Sequence, residues 1–394
     1  HGEGGIGYIA SRFTLEGPIV KDKASFIVSG RRTFIDLFLR EPFVPANSRI
    51  AGNSYYFYDL NGKINYTISN KDRLYLSCYL GKDVFNFRSP ETGFKVKIPW
   101  GNATAAIRWN HLFNEKLFMN TTVLFSDYIF KIGASQSNFN FELFSGVRDY
   151  STKVDFDYFP NIRNQVKFGG AYTFHTFTPT TATGTIGETS ISPEKINRQY
   201  ANEAAAYVSN DFDLTEKIKI NAGLRYAYFQ LLGPLQTYQY RIGTPRTLNS
   251  LTDTLRFASS DVIQSYGGLE PRVSLAVKLD SSTSVKFGFN RMQQFMHLLS
   301  NTMAISPVDI WKNSNAYLPQ QVADQFSMGV FKNFTNAQNA VFEASAEFYY
   351  KRLANVIDYV DGAALYLNPT VETELVVGKG RAYGAEFFLK KARG

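Results

Sequence analysis

The sequence predicts an all-β chain folded as an antiparallel transmembrane β-barrel, and three observations carry that expectation. Apolar and polar residues alternate with a period of two along segment after segment, and short polar turns alternate with long connections. The chain is also rich in aromatics, with 24 Tyr and 34 Phe against 3 Trp and 14 Pro. Thr215–Tyr228 states the pattern most fully: Ile218, Ile220, Ala222, Leu224, Tyr226 and Tyr228 share one face, and Lys219, Asn221, Gly223, Arg225 and Ala227 the other. About eleven residues is the length a tilted strand needs to cross the hydrocarbon layer, and tyrosines suit its boundary with water. Taken alone, this strand favours a soluble sandwich. Repetition reverses the preference, because about sixteen such strands with wide loops on one side do not fit a sandwich, whose apolar faces must meet another sheet.

In chain order, Gly2–Tyr8 and Ser11–Ile19 read as strands joined around Ile9-Ala10, and Lys21-Asp22-Lys23 turns the chain into a strand at Ser25–Thr33. Phe34–Asn53 is a long connection with Pro42 and Pro45, after which Tyr56, Tyr58, Leu60, Ile64, Tyr66 and Ile68 alternate with polar partners. Short turns are expected at Ser69–Asp72, Asn114–Lys116, Pro160-Asn161, Thr215-Glu216, Asp280–Ser282 and Asn333–Asn339. Long connections are expected at Asn86–Pro99, Lys131–Glu142, Pro179–Asn197, Leu232–Gln264, Gln294–Gln321 and Asn355–Lys379, with Thr180–Ser192 as a mobile tip. Short turns at one end and long extracellular loops at the other are the asymmetry of an outer-membrane barrel. Tyr200–Phe212 alternates weakly around Ala204-Ala205-Ala206, which leaves a one-turn helix open beside a strand.

No stretch approaches the about eighteen continuous apolar residues of a membrane helix, which excludes a helical membrane protein but not a barrel, whose strands average to neutral hydropathy. The lone Cys78 excludes an intrachain disulfide and a multi-cysteine zinc site, and it lies on the apolar side of its strand. His1, His111, His175 and His297 have no ligand spacing, so neither metal nor cofactor is expected. The net charge of +8 is spread along the chain, which favours a merely solvated basic surface over one that meets anionic lipid headgroups or an anionic solute. No aromatic–basic motif for nucleic acid occurs. The chain opens at His1 with neither Met nor signal peptide, and so reads as a mature piece or an excised segment.

Particular segments resemble a known family. Ile9–Ile19 (IASRFTLEGPI) followed by Lys21–Thr33 (KDKASFIVSGRRT), Leu269-Glu270-Pro271-Arg272, Asp324–Val330 (DQFSMGV) and Gly378–Glu386 (GKGRAYGAE) are similar to the barrel of TonB-dependent outer-membrane receptors of Bacteroidetes type. The resemblance spans the chain and implies a barrel of about 22 strands closed around an N-terminal plug. That plug carries the segment gripped by the TonB–ExbB–ExbD complex. On this reading residues 1–394 are a partial barrel domain, lacking the plug and the C-terminal strands, in a bacterial outer membrane. Unsatisfied edges near Gly2–Tyr8 and Gly384–Lys390 are costly in lipid, so this piece alone is expected to aggregate rather than insert.

No catalytic constellation is found. Glu343 and Glu347 share a strand face at about 13 Å, further apart than glycosidase carboxylates normally stand, and no nucleophile elbow surrounds Ser300 near His297 and Asp309. The resemblance implies active import: loops and inner wall bind a scarce small-molecule, glycan or peptide substrate, with a surface lipoprotein lid left open. A passive porin-like pore and an adhesive surface barrel remain the alternatives. Candidate contacts in Gln294–Gln321 are His297, Asn301, Trp311, Asn313 and Tyr317, because aromatics combine contact area with a polar handle. By parity Glu270 and Arg272 face the lumen, where they can also pair with each other.

Overall fold

The alternation becomes one antiparallel sheet of 17 strands. The computed structural model describes residues 1–39, 43–45, 48, 50, 53–187, 189–191, 198–299, 310–335, 340–365 and 367–393. The wall begins with β1 (Gly2–Ile6), β2 (Ala10–Val20) and β3 (Ala24–Thr33), followed by a short helix α1 (Ile35–Phe38). It continues hairpin by hairpin through β4 (Ser54–Thr67), β5 (Asp72–Arg88), β6 (Lys95–Asn114), β7 (Leu117–Gln136), β8 (Phe139–Asn161) and β9 (Asn164–Ile186). A short β10 (Thr189–Ile191) pairs with the tip of β9, and β11 (Gln199–Asp213) and β12 (Ile218–Leu232) resume the wall. Two hairpins then form sheets of their own at the long-loop end. They are β13 (Leu235–Tyr240) with β14 (Leu251–Phe257) and, beyond the wall strands β15 (Val262–Lys278) and β16 (Thr283–Gln294), β17 (Met296–Leu299) with β18 (Ile310–Asn313). The last wall strands are β19 (Gln321–Thr335), β20 (Val341–Tyr359) and β21 (Leu375–Arg393). Among the described residues no pairing joins β1 to β21.

Leu60, Leu80, Val123, Val208, Leu224 and Phe348 stay exposed on one face of this wall. So much apolar surface on one side suits a solvent of lipid tails. Cys78 is exposed on that same apolar side. The other face is polar and tightly fitted. Tyr207 lies over its cross-strand partner Gly169, and its hydroxyl donates to Asp155 beyond. A Cβ at Gly169 would overlap the Val154 carbonyl, so a bare backbone is needed there.

The short-turn end is closed by side chains that accept backbone N–H groups two and three residues on. Asn114 Oδ1 accepts from Lys116 and Leu117 at 2.9 and 3.0 Å, and Thr215 Oγ1 from Lys217 and Ile218 at 3.2 and 3.0 Å. Asp280 Oδ1 accepts from Ser282 and Thr283 at 2.6 and 2.8 Å; the Ser282 hydroxyl and these N–H groups bring its carboxyl down to about 2.

Several expected connections are strand instead. The expected loop at Lys131–Glu142 shrinks to Ser137-Asn138, turned by Ser137 at φ 45°. Asn86–Pro99 is strand to Arg88 and again from Lys95. Thr180–Ser192 is not a loose tip over its described part: β9 runs on to Ile186 opposite Phe139 of β8, since threonine is a good strand former wherever a partner is present. Tyr200–Phe212 is strand throughout, paired with β9 on one side and β12 on the other, which overrides its alanines.

Candidate functional site

The inner face of the wall carries a row of charges that satisfy one another from strand to strand. His175 Nδ1 meets Asp149 Oδ1 at 2.8 Å, and its Nε2 lies 3.8 Å from Glu203. Arg225 bridges Glu203 at 3.7 Å and Glu270 at 2.6 Å, and the Gln293 N–H donates to Glu270 Oε1 at 2.8 Å. The row therefore runs across β8, β9, β11, β12, β15 and β16. It corrects one expectation: buried Glu270 takes Arg225 as its partner, not Arg272. Residues two apart on a strand share a face but stand about 7 Å apart, whereas Arg225 lies directly opposite Glu270 in the register. Arg272 stays exposed on the lumen side, opposite Gly223 and Asn290.

At the long-loop end the loops fold inward. Phe295 stacks on Phe229 at 5.2 Å and 7°, burying it with Ala201, Ala227 and Leu231 on the inner face. Leu299, Leu318, Leu365, Val371 and Leu375 form a second apolar cluster between the β17–β18 segment and the loop before β21. Arg246 ties these loops together: its guanidinium donates to the carbonyls of Tyr317 at 3.2 Å and Leu375 at 2.8 Å and lies over the Tyr317 ring at 5.4 Å.

Between wall and loops lies a cavity of about 240 Å³, lined by Gln199 and Leu231 from the wall, Tyr238 and Tyr240 from β13, and Trp311 and Tyr317. Its charges are internally closed, because Lys312 Nζ meets Glu372 Oε1 at 2.7 Å and Asn315 donates to the same oxygen at 3.0 Å. Burial opposes ionisation of Glu372, yet Lys312 and Asn315 outweigh it and hold the carboxyl below its usual range. Burial, with the Glu372 charge nearby, pushes the Tyr240 phenol up to about 12. Tyr240 packs edge-on against Tyr317 at 5.3 Å, and its buried hydroxyl has no hydrogen-bond partner among the described residues. A neutral, unengaged donor in an aromatic cavity is the kind of group that fixes a ligand's orientation.

Of the residues singled out from sequence, Trp311 and Tyr317 line this cavity. His297 and Asn313 are buried: His297 Nε2 meets Ser314 Oγ at 2.8 Å, and Asn313 donates to Gln199 at 3.2 Å. Burial lowers His297 to about 4, so it is neutral and holds the loop together. Asn301, with Ser300 and Asp309, lies outside the described residues. Tyr238 and Tyr240 were missed because Leu232–Gln264 reads as one connection, although Leu235–Tyr240 carries strand-forming residues; Gln199, at the start of β11, falls between the Pro179–Asn197 connection and the Tyr200–Phe212 segment. Among the described residues no three His, Cys, Asp or Glu side chains gather as a metal site.

Residues 36–391 match the protein family described as TonB dependent receptor-like, beta-barrel. No curated protein sequence matches. Among solved structures, the copper transporter OprC superposes with a TM-score of 0.64 at 10% identity, over 98% of this chain and 57% of that one. The ferric yersiniabactin uptake receptor FyuA of Yersinia pestis gives 0.62 at 10% identity, over 97% and 56%. The Serratia marcescens hemophore receptor HasR, in complex with its hemophore HasA and heme, gives 0.60 at 13% identity, over 98% and 60%. This chain thus spans 56 to 60% of the length of these structures, and at such identities the likeness is one of fold.

Proposed function

Because the chain belongs to the TonB-dependent receptor β-barrel family of bacterial outer-membrane proteins, we propose that it is the recognition wall of an active importer. Its long loops face outward and its short turns the periplasm. The mouth cavity supports this reading most directly. The inward-folded loops create an aromatic, charge-balanced recess at the entrance to the lumen, with the Tyr240 hydroxyl unengaged. At about 240 Å³ it is smaller than the roughly 300–1,000 Å³ of a typical small-molecule site, so it takes one arm of a solute. The rings of Trp311 and Tyr238 offer contact area and the amide of Gln199 offers hydrogen bonds. The TonB–ExbB–ExbD complex, pulling on a plug within the full barrel, then opens the path. Named relatives carry heme with its hemophore, ferric yersiniabactin or copper; for this chain the proposal is a scarce small molecule held by rings and hydrogen bonds.

The test is depletion of a defined metabolite mixture by cells carrying the gene, read by mass spectrometry with and without functional TonB. Depletion that requires TonB and falls with Trp311→Ala is expected. TonB-independent depletion would establish the passive pore instead.

A further inference from the structure

The mouth cavity is selective through what its polar groups have left to offer. Several of its side-chain acceptors already receive hydrogens. Glu372 Oε1 meets Lys312 Nζ at 2.7 Å and Asn315 Nδ2 at 3.0 Å, and Asn315 Oδ1 accepts the N–H groups of Tyr317 and Leu318 at 2.9 and 3.1 Å. Asn368 Oδ1 accepts from the Thr370 N–H at 2.9 Å and from its hydroxyl at 3.0 Å, and Gln199 Oε1 from Asn313 at 3.2 Å. The groups left over are mainly donors. The Tyr240 hydroxyl is buried without a partner among the described residues. The Tyr238 hydroxyl accepts the Gln236 amide at 3.1 Å, which leaves its own hydrogen to give. The Trp311 indole N–H can only donate.

Charge narrows the occupant further. Among the described residues, Lys312 and Glu372 are the only charged ones that line the cavity, and they neutralise each other. An entering ammonium finds its carboxylate partner taken. An entering anion is resisted as well, and Tyr240 reports it. Burial and the Glu372 charge push that phenol up to about 12, although Arg246 pulls the other way. A carboxylate or phenolate beside it meets the same burial and the same Glu372. A sugar ring brings hydroxyl hydrogens that need acceptors, and a buried donor without an acceptor is costly.

Shape supplies the remaining constraint. Tyr240 and Tyr317 meet edge-on at 5.3 Å, and with Trp311 and Tyr238 they give aromatic walls to a cavity of about 240 Å³. Such walls suit a flat ring, which can stack on one side chain and meet another edge-on. We infer that the cavity takes a flat, uncharged ring whose polar atoms are acceptors only, carbonyl oxygens or ring nitrogens, held by the Tyr240 hydroxyl and the Trp311 N–H. This assignment rests on the import reading and names the arm of the solute that the mouth recognises.

The test is equilibrium dialysis of the protein, extracted from outer membranes in mild detergent, against an equimolar mixture of three probes. Caffeine is flat and uncharged with acceptors only, benzoate is flat and anionic, and methyl glucoside is uncharged but rich in hydroxyls. Bound amounts are read by mass spectrometry, with uptake by empty micelles subtracted. The wild type is expected to retain caffeine over both others. Tyr240→Phe, which removes one unengaged hydroxyl and keeps the ring, should lower caffeine affinity about fivefold, as the loss of one hydrogen bond does. Trp311→Phe keeps a ring but loses the N–H, and should lower it by a similar factor. No retention of caffeine, retention of benzoate or methyl glucoside at or above its level, or unchanged caffeine affinity in folded Tyr240→Phe overturns the proposal. The assay needs neither TonB nor transport, so each of these failures leaves the import reading standing, and TonB-independent depletion would sink that reading without touching this one.

Discussion

Replacing Arg246 with alanine should loosen the mouth without unfolding the wall. Its guanidinium gives one hydrogen bond to the Tyr317 carbonyl and one to the Leu375 carbonyl, joining residues 71 and 129 positions away in sequence. A hydrogen bond from a charged donor contributes roughly 1.5–3 kcal/mol, and the stacking on Tyr317 roughly 0.5–1. Arg246 is half-exposed, so water replaces part of this, and about 2 kcal/mol is a reasonable discounted total. That corresponds to an about thirtyfold rise in the fraction of molecules whose loops are open. Hydrogen exchange should quicken by about that factor at Leu235–Tyr240, Leu251–Phe257 and residues 313–318. The amides of β5 to β8 should not change. Arg246→Lys keeps the charge but loses the fork, and should fall between. Unchanged exchange in the loops, or equal acceleration in the wall, would refute the idea that Arg246 locks these loops into one unit.

The remaining expectations concern protons and fit. His297 falls from 6.5 to about 4 on burial, so the stability it confers is complete above pH 6.5 and is lost as pH drops towards 4. The opening constant should rise about tenfold per pH unit in that window, as read by limited proteolysis of the loops, and His297→Gln should flatten the dependence. Glu372 is depressed below its usual 4.5, so its contribution persists above that value and disappears as pH falls further; Trp311 emission should report the change, and Glu372→Gln should abolish it. Gly169→Ala should reduce the heat-modifiable folded fraction, because its Cβ overlaps the Val154 carbonyl backbone rather than a movable side chain. Tyr240→Phe should weaken solute uptake while leaving loop exchange rates unchanged, since its hydroxyl bonds to nothing in the loop assembly.

The wall was legible because its code is local. A period of two fixes which face each residue takes, and Asn114, Thr215 and Asp280 mark turns by a mechanism that needs only the next three residues. Strand ends were less legible. The residues flanking Ser137-Asn138 include enough small and polar ones to read as loop, yet β7 and β8 keep their register there, with Ile132, Ala134, Phe139, Phe141 and Leu143 still on one face and Ser135, Asn140 and Glu142 on the other. The charged row was half visible: parity placed Glu270 in the lumen, but its partner depended on register between β12 and β15, which lie 29 residues apart because a loop hairpin intervenes.

The mouth was least legible, yet it left a trace. The inner face of β12 is polar at Lys219, Asn221 and Arg225 but becomes apolar at Ala227, Phe229 and Leu231, all buried. A strand whose inner face is polar in its lower part and apolar near its loop end cannot have open water along the whole of that face. Something must cover the inner side, and here it is Phe295, brought back by the loop after β16. The apolar inner face at Ala227, Phe229 and Leu231 thus predicts an inward-folded loop. It does so from a different physical signal than the alternation that predicts the barrel. The same apolar stretch borders the mouth cavity, since Leu231 lines both the apolar cluster and the recess beside Tyr238 and Tyr240.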